Sequence, residues 1–423
     1  MSAAGSPHLA QQPRLLDLKE IDDWKIEVLT DTQVGVLSAS DLVEIRPQDP
    51  YRDVWEVRAK GAVGAALLTG VSGEQIDLRV EPKVGIDRLL FLMGYASDAK
   101  GWRNDWVDLP HASDIPSAAA EALVRLTDRA LRSGLLQGYL SIDESGMTVR
   151  GRVRQVDQMR RHFGQMIPVE VSYDEFTIDI AENRILKAAL RRLLRISSLQ
   201  PSTRQRLLRT AHRFAEVSDL VGGQSIPNWT PSRLNARYVP ALRLAEIVLS
   251  GSSFDLDRGL VRASGFMVSM PTVFEDFVTK ALGAALVQQC GGRMQLQDNR
   301  WRLDADGQVR LRPDLVWYPS RDSKVPGVVV DAKYKAAKLD GFPNPDVYQM
   351  LAYCTSLGLN GGHLVYAAGN EAGAHYRIPN AGPSGEGVDV HAVALDLAGT
   401  PTELLRQVGA LAEGMLRRPI AID

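Results

Sequence analysis

Residues 328–335 read VVVDAKYK, and this stretch decides the fold of the C-terminal part of the chain. Three consecutive valines favour a β-strand that is buried on both faces. Side chains of a strand alternate between its two faces, so Asp331 and Lys333 must share a face. These two residues could form a purely structural ion pair at the end of the strand, or they could belong to a catalytic site. The choice depends on which other residues the chain brings to that face.

The composition is that of a globular protein. The chain has 423 residues, of which 45% are hydrophobic and 24% charged, and this length predicts two or three domains. It contains no apolar run of about 18 residues, so no membrane span is expected. Residues 1–14 lack the features of a secretory signal and are predicted to be a disordered leader. With only two cysteines, no disulfide framework is expected, and the predicted compartment is the cytoplasm.

A basic block lies inside an otherwise acidic protein. Between Arg150 and Arg213 there are 14 Lys or Arg residues against 6 Asp or Glu, although the net charge of the chain is −2. A local excess of positive charge favours binding to a polyanion. Arginines at helical spacing are equally well explained as the solvated face of a helical region, so both interpretations stay open.

The order of predicted elements indicates an α+β multidomain protein. Residues 15–110 form a β-rich module, residues 111–264 a mainly helical and basic middle region, and residues 265–423 an α/β domain. Short β-type runs in the first module occur at 26–29, 34–37, 43–47, 54–68 and 76–82. In the middle region, hairpins are predicted between 139–144 and 147–155 and at 254–260. The last domain is predicted to contain helices at 270–290, 344–357 and 401–417 and strands at 293–303, 309–318, 326–334 and 361–368.

A second acidic residue precedes the opening stretch at the spacing of a hairpin. Asp314 follows Pro313 in RLRPDLVWY, and sixteen residues separate Asp314 from Asp331, enough for a strand, a turn and a returning strand. Two carboxylates on neighbouring strands suit Mg²⁺, which takes few protein ligands and keeps several waters. Lys333 can hold an attacking water or neutralise charge that develops on a phosphate. The structural alternative is that Asp314 caps a turn and Asp331 only pairs with Lys333.

Pro-Asp, a hairpin-length gap and then Asp-x-Lys in an apolar strand resemble the PD-(D/E)xK nuclease superfamily. The resemblance implies a C-terminal PD-(D/E)xK nuclease domain that uses Mg²⁺, with Mn²⁺ as a substitute. It implies that Glu275, in the upstream helix, is an additional acidic ligand beside Asp314 and Asp331. It also implies that Gln349, which shares a helix face with Tyr353, supports the site. The implied catalytic set is Asp314, Asp331, Lys333, Glu275 and Gln349.

Three further stretches resemble the McrC family, the nuclease subunit of McrBC-type modification-dependent restriction systems. They are EPKVGIDRLLFLMGYA (81–96), GLLQGYL with VRGRV (within 134–153) and YDEFTIDIAENRILKAAL (173–190). In the last of these, Asp179 either caps the following helix or pairs with Arg184. The similarity covers roughly residues 75–370 and keeps the order of the motifs.

The family resemblance implies a DNA endonuclease that works with a separate motor. The implied substrate is modified double-stranded DNA, and the implied partner is a McrB-like AAA+ GTPase that docks on the module of residues 15–110. The chain has no GxxxxGK[ST] phosphate loop of its own, which agrees with an external motor. Two alternatives remain: a stand-alone repair or recombination nuclease, and a non-catalytic adaptor that stimulates an AAA+ partner. Buried carboxylates are costly to keep without a metal, which argues against the adaptor.

Overall fold

A computed structural model describes most of the chain. The described residues are 13–20, 24–49, 52–97, 115–196, 199–220, 225–250, 261–334, 344–367, 373–383 and 385–416. Most of the predicted leader and the predicted hairpin at 254–260 lie outside them. The chain forms two compact units. The first unit contains residues 1–110, 256–263 and 267–423, and the second contains residues 111–255 and 264–266. The first unit therefore includes both the N-terminal module and the C-terminal α/β region.

The N-terminal part of the first unit is built on two small sheets. Its elements are β1 (Arg14–Lys19), β2 (Lys25–Val28), α1 (Asp31–Ser40), β3 (Val43–Asp49), β4 (Val54–Ala59), β5 (Ala62–Gly70), β6 (Gln75–Glu81) and α2 (Ile86–Ser97). A four-stranded sheet has the order β1-β6-β5-β10, where β10 is the later strand Val261–Ser269, and a three-stranded sheet has the order β2-β4-β3. This agrees with the β-rich composition expected from the sequence.

The strand predicted at 34–37 is wrong, because these residues lie in helix α1. Thr30 precedes the helix, and its hydroxyl accepts a hydrogen bond from the backbone N–H of Gln33 at 3.3 Å. The Gln33 side chain accepts in return from the Thr30 N–H at 3.2 Å, which completes a capping box. Val36 and Leu37 are buried. An apolar run of four residues does not distinguish a strand from a buried helix turn, and the capping box decides in favour of the helix.

The second unit combines helices with a small sheet. Its elements are α3 (Ile115–Ala130), β7 (Gly138–Gly146), β8 (Arg152–Val153), α4 (Gln155–Arg161), β9 (Val169–Thr177), α5 (Ala181–Leu194), α6 (Pro201–His212) and α7 (Val239–Ser250). The sheet order is β7-β9-β8.

The hairpin predicted between 139–144 and 147–155 is also wrong, because the strands pair differently. Strand β7 pairs antiparallel with β9 along its whole length, from Gly138 opposite Thr177 to Gly146 opposite Val169. The predicted second arm contributes only the two-residue strand β8, which lies on the other side of β9. The β7–β9 ladder pairs nine residues of each strand, which is longer than the predicted hairpin with its six-residue first arm.

The C-terminal region of the first unit is a six-stranded mixed sheet with helices on both faces. After β10 its elements are α8 (Met270–Cys290), β11 (Arg293–Leu296), β12 (Leu315–Tyr318), β13 (Val328–Lys333), α9 (Asn344–Leu357), β14 (Gly361–Ala367), β15 (Ala374–Ile378), β16 (Val388–Leu395) and α10 (Pro401–Leu416). The order is β11-β12-β13-β14-β16-β15, with antiparallel pairing from β11 to β13 and parallel pairing from β13 to β16. The predicted helices at 270–290, 344–357 and 401–417 are confirmed. The strands predicted at 293–303 and 309–318 are shorter, and their remaining residues form one isolated bridge, Arg302 to Arg310.

The valine run is buried on both faces, as the sequence predicted. Val328 and Val330 pack in a cluster with residues of α2, α8 and α10, whereas Val329 packs in a second cluster with residues of α9. Each fully buried valine contributes about 1.5–3 kcal/mol of hydrophobic free energy. By the same alternation, Asp331 and Lys333 lie on the face of Val329, under α9. Among the described residues, no helix combines the length and apolarity that a membrane crossing requires.

Candidate functional site

The β12–β13 hairpin brings two carboxyl groups together. Leu315 pairs with Val330 in this antiparallel ladder, so the next position places Asp314 opposite Asp331. The Oδ2 of Asp314 accepts a hydrogen bond from the backbone N–H of Ala332 at 2.9 Å. Both side chains are buried, with Asp314 9% exposed and Asp331 1% exposed. The structure therefore brings the two acidic residues together as the sixteen-residue spacing predicted.

Lys333 lies beside this pair. Its Nζ is 2.5 Å from the Oδ2 of Asp331. Although this ion pair is close, the same oxygen is buried and accepts no hydrogen bond of normal geometry. Burial acts to lower the pKa of Lys333, but the carboxylates of Asp331, Asp314 and Asp346 outweigh it, and the net result is a raised pKa. The ammonium is therefore charged at neutral pH.

If both were ionised, the paired carboxyl groups would carry more negative charge than Lys333 balances. Burial, followed by the charge of Asp331, raises the pKa of Asp314 to about 8, and Glu275 adds to the shift. Two buried carboxylates in contact cannot both ionise without a compensating cation. The site thus favours either a proton or a positively charged ligand.

Glu275 reaches the site from helix α8 and belongs to a polar chain at its edge. The Nε2 of Gln297 donates to the Oε1 of Glu275, and the Oε1 of Gln297 accepts from the guanidinium of Arg312. The backbone N–H of Gln297 also donates to the backbone carbonyl of Asp314 at 2.9 Å. One glutamine therefore links Glu275, Arg312 and the backbone of a paired carboxylate.

Gln349 is linked to the site through a buried tyrosine. Its Nε2 donates to the Tyr353 hydroxyl at 2.8 Å, and that hydroxyl donates to the backbone carbonyl of Arg312 at 3.1 Å. Tyr353 is only 3% exposed. Burial, with the charges of Asp331 and Asp314, raises the pKa of Tyr353. Tyr353 fixes the backbone next to Asp314, and Gln349 orients Tyr353.

Two residues of this neighbourhood were missed from the sequence. Asp346, in the first turn of α9, accepts a hydrogen bond from the Tyr366 hydroxyl at 2.9 Å and acts on Lys333. Its position three residues before Gln349 puts both on one helix face, and this spacing was the available signal. Gln297 is the second, and no sequence pattern identifies it because it comes from a loop without periodicity.

A divalent cation fits the paired carboxyls. The raised pKa of the buried Asp314 carboxyl is expected of a group that a second cation, beside Lys333, would satisfy. Within the described ranges, however, no group of three or more His, Cys, Asp or Glu side chains is placed to hold a metal ion. Magnesium fits this donor set because it is commonly bound by one or two carboxylates and several waters. The role of Glu275 as a further ligand stays a prediction.

The YDEFTIDIAENRILKAAL motif forms part of the framework of the second unit. Arg184 donates two hydrogen bonds to Asp179, at 2.8 and 2.7 Å, so Asp179 pairs with Arg184 and does not cap helix α5. Asn183 is fully buried and donates to the backbone carbonyls of Leu136 and Ile178 at 2.8 and 2.7 Å. Both interactions join the helix to preceding segments, so these residues of the motif have a structural role.

Part of the basic block is likewise used for internal contacts. Lys187 forms an ion pair with Asp219 at 3.1 Å, and Arg191 pairs with the same carboxylate. Arg204 donates to two backbone carbonyls near the end of α5. These residues stabilise the second unit, so DNA binding by the rest of the block stays a prediction.

The fold and the site together define an α+β protein whose mixed sheet carries two paired carboxyls and a lysine at the ends of adjacent strands. Residues 57–367 match the model of the McrBC family, described as McrBC 5-methylcytosine restriction system component. The chain belongs to this family, which confirms the family predicted from its motifs. It is therefore a component of a McrBC-type restriction system.

Two solved structures are similar to the chain. One is a refined half-complex from a tetradecameric assembly of Thermococcus gammatolerans McrB AAA+ hexamers with bound McrC, with 16% identity, a TM-score of 0.57 and coverage of 95% of this chain and 100% of that chain. The other is a cryo-EM structure of the Thermococcus gammatolerans McrBC complex, with 19% identity, a TM-score of 0.36 and coverage of 64% and 88%. At this identity the first likeness shows the fold alone. No curated protein sequence matches the chain.

Proposed function

We propose that this chain is the McrC-type nuclease subunit of its restriction system, a Mg²⁺-dependent endonuclease that cuts modified double-stranded DNA. The observation that supports this best is the placement of Asp314 opposite Asp331, with the Lys333 ammonium 2.5 Å from Asp331. A salt bridge alone explains Asp331 and Lys333, but it leaves the second buried carboxyl of Asp314 without a cation. A site that binds a metal and a phosphate accounts for all three groups.

Each residue has a defined part in this proposal. Asp314 and Asp331 hold Mg²⁺, which, when bound, lowers the pKa of water and offsets charge on the phosphate oxygens. Lys333 orients the attacking water through its ammonium or neutralises charge on the phosphate. Glu275 adds negative charge beside Asp314, and Gln349 orients the Tyr353 hydroxyl that fixes the neighbouring backbone. A 5′-phosphate and a 3′-hydroxyl are the expected products.

A McrB-like AAA+ GTPase is the proposed partner. The similar assembly described above contains McrB AAA+ hexamers with bound McrC, and this chain has no nucleotide-binding loop of its own. Such a partner would supply recognition of modified DNA and movement along it. The module of residues 15–110 remains a candidate docking surface.

The second unit offers a further surface for this partner. Large apolar side chains are unusually exposed between residues 139 and 176, including Tyr139 at 76%, Phe163 at 85% and Met166 at 88%. Tyr139 and Phe176 pack on each other with ring centroids 5.1 Å apart, and they remain open to solvent. Phe163 and Met166 are three residues apart in the segment between α4 and β9, and an exposed apolar patch marks a protein interaction site. We propose that the AAA+ partner covers it.

The catalytic proposal is tested by cleavage of methylated and unmethylated DNA in Mg²⁺, with the AAA+ partner and nucleotide present. The variants are Asp331→Asn and Lys333→Ala, and the matched control is Lys324→Ala, an exposed lysine in the turn at the far end of the same hairpin. We expect cleavage of modified DNA by the wild type and the control, and a loss of at least about a thousandfold in the two site variants.

Other outcomes would favour the alternatives. Cleavage without the partner and without modification would indicate a stand-alone nuclease. Stimulation of nucleotide hydrolysis without any cleavage, unchanged in Lys333→Ala, would indicate an adaptor.

The docking proposal is tested separately by the double variant Phe163→Ser, Met166→Ser. Because both side chains are exposed, we expect the protein to fold normally and to lose its binding to the AAA+ partner and its stimulation of nucleotide hydrolysis. The matched control is Val325→Ser, an apolar residue that is 67% exposed in the turn between β12 and β13, outside both proposed docking regions. Equal stimulation by the double variant and the wild type would contradict this surface.

A further inference from the structure

The polar chain at the edge of the site contains a guanidinium that the proposed mechanism does not use. Arg312 directly precedes Pro313 and Asp314, and its side chain is exposed while Leu311 and Pro313 on either side are buried. Its guanidinium donates to the Oε1 of Gln297. Among the described residues, Arg312 forms no ion pair, although it lies next to a cluster of carboxylates.

This pairing is unusual because an arginine beside buried acids normally binds one of them. Here the Gln297 amide stands between the two charges, since its N–H donates to Glu275 and its oxygen accepts from Arg312. A single hydrogen bond to a neutral amide leaves most of the five guanidinium donors available. The amide therefore holds the positive charge close to the site without neutralising Asp314 or Asp331.

The backbone at Gln297 supports the same conclusion. Gln297 has a φ of 46°, in the left-handed region that residues other than glycine rarely adopt. Its N–H donates to the carbonyl of Asp314, and the N–H of the next residue, Asp298, donates to the carbonyl of Pro313 at 3.2 Å. Strained backbone held in place by surrounding contacts is concentrated at functional sites. In this conformation the side-chain amide of Gln297 lies between Glu275 and Arg312.

We propose that Arg312 binds a phosphodiester of the DNA strand that occupies the site, and that Gln297 is the residue that positions its guanidinium. A guanidinium matches the planar, two-oxygen face of a phosphate, which an exposed arginine held by a neutral acceptor is free to bind. This inference rests on the proposed nuclease function, because it assumes that the DNA backbone enters between the carboxyls and Arg312. In this proposal Arg312 binds the DNA substrate, whereas Asp314, Asp331 and Lys333 take part in hydrolysis of the phosphodiester.

The test measures DNA binding by the full chain and DNA cleavage by the complex with the AAA+ partner. Binding to duplex DNA is followed by fluorescence anisotropy in Ca²⁺ over a series of KCl concentrations, and cleavage under single-turnover conditions in Mg²⁺. The variants are Arg312→Gln and Arg312→Lys. The matched control is Arg321→Gln, an exposed arginine in the turn at the opposite end of the β12–β13 hairpin.

We expect Arg312→Gln to weaken binding about tenfold and to make the slope of log K against log salt shallower by about one, because one phosphate contact is lost. Cleavage falls by at least the same factor. Arg312→Lys retains the slope and part of the activity, and Arg321→Gln behaves as the wild type. Stimulation of nucleotide hydrolysis stays unchanged in all of them, which shows that the variants are folded.

Two results would overturn the inference. The first is that Arg312→Gln binds DNA with the wild-type affinity and the wild-type salt slope. The second is that Arg312→Gln and Arg312→Lys lose affinity equally while the salt slope stays that of the wild type, which would indicate a structural role for Arg312. The Asp331→Asn variant, measured in parallel, distinguishes failure of this inference from failure of the proposed nuclease function. If Asp331→Asn cleaves as well as the wild type, the nuclease proposal fails. A shallower slope in Arg312→Gln would then still identify Arg312 as a DNA contact.

Discussion

The substitution Asp331→Asn is expected to stabilise the metal-free protein while it abolishes cleavage. In the folded chain, Asp314 and Asp331 are buried against each other, and Glu275 lies near enough to add to the repulsion. Replacing one carboxylate by its neutral isostere removes most of that repulsion and changes the volume little. Lys333 keeps Asp314 and Asp346 as neighbouring charges, so the ammonium is not left alone.

The size of the effect follows from the pKa of Asp314. Burial and then Asp331 raise this pKa from 3.8 to about 8. At about 1.4 kcal/mol per pH unit, the shift costs the folded state at most on the order of 4 kcal/mol at pH 7. Because burial is the larger cause, we assign about 1–2 kcal/mol to Asp331. For a unit of this size that corresponds to a rise in Tm of roughly 2–6 °C.

The pH dependence has a definite sign. A carboxyl whose pKa is raised on folding binds its proton more tightly in the native state than in the unfolded state. The free energy of unfolding from this group therefore decreases as pH rises from about 4 to about 8. Asp331→Asn should flatten that decrease, because the pKa of Asp314 moves back towards its ordinary value.

The assay is thermal unfolding in EDTA and in Mg²⁺ at several pH values. The control is Asp298→Asn, a buried carboxylate that accepts hydrogen bonds from Arg300 at 2.8 and 2.6 Å, with a pKa lowered to about 2 chiefly by that arginine. The same substitution there should lower stability by about 1–3 kcal/mol. Mg²⁺ should raise the Tm of the wild type and not that of Asp331→Asn. A lower Tm for Asp331→Asn in EDTA, or an equal response to Mg²⁺, would refute the reasoning.

Two further predictions concern hydrogen bonds, one in the second unit and one at the candidate site in the first unit. Arg184, through its hydrogen bonds, holds the pKa of Asp179 far below its ordinary range. The resulting stabilisation is present above about pH 4 and is lost on further acidification. Asp179→Asn should therefore lower the free energy of unfolding by about 1–2 kcal/mol at pH 7 and by much less near pH 2, as measured by urea unfolding at both pH values. Tyr353→Phe removes the hydroxyl that links Gln349 to a backbone carbonyl, so it should lower single-turnover cleavage about tenfold and stability by about 1 kcal/mol, whereas Tyr348→Phe, 65% exposed on the same helix, should change neither. Equal behaviour of the two tyrosine variants would show that the buried hydroxyl has no part in the site.

The candidate site was largely readable from the sequence because its geometry is local. Asp314, Asp331 and Lys333 lie within one hairpin, where a period of two and the length of the connection determine which side chains meet. Helix α8 was equally clear, since a 21-residue apolar pattern that begins with Pro271 near its first position has few other structures available. These signals come from near neighbours in the chain and do not need the rest of the fold.

The sequence by itself therefore determined the paired carboxyls with their lysine, the long helices and the family. Only the tertiary structure decided that β7 pairs with β9 and that Gln297 stands between Glu275 and Arg312. The physical reason is that these features depend on non-local contacts: a strand pairs with whichever segment offers the longer ladder, and an amide from a loop is positioned by residues distant in the chain. Such contacts leave no periodic pattern around the residues that make them.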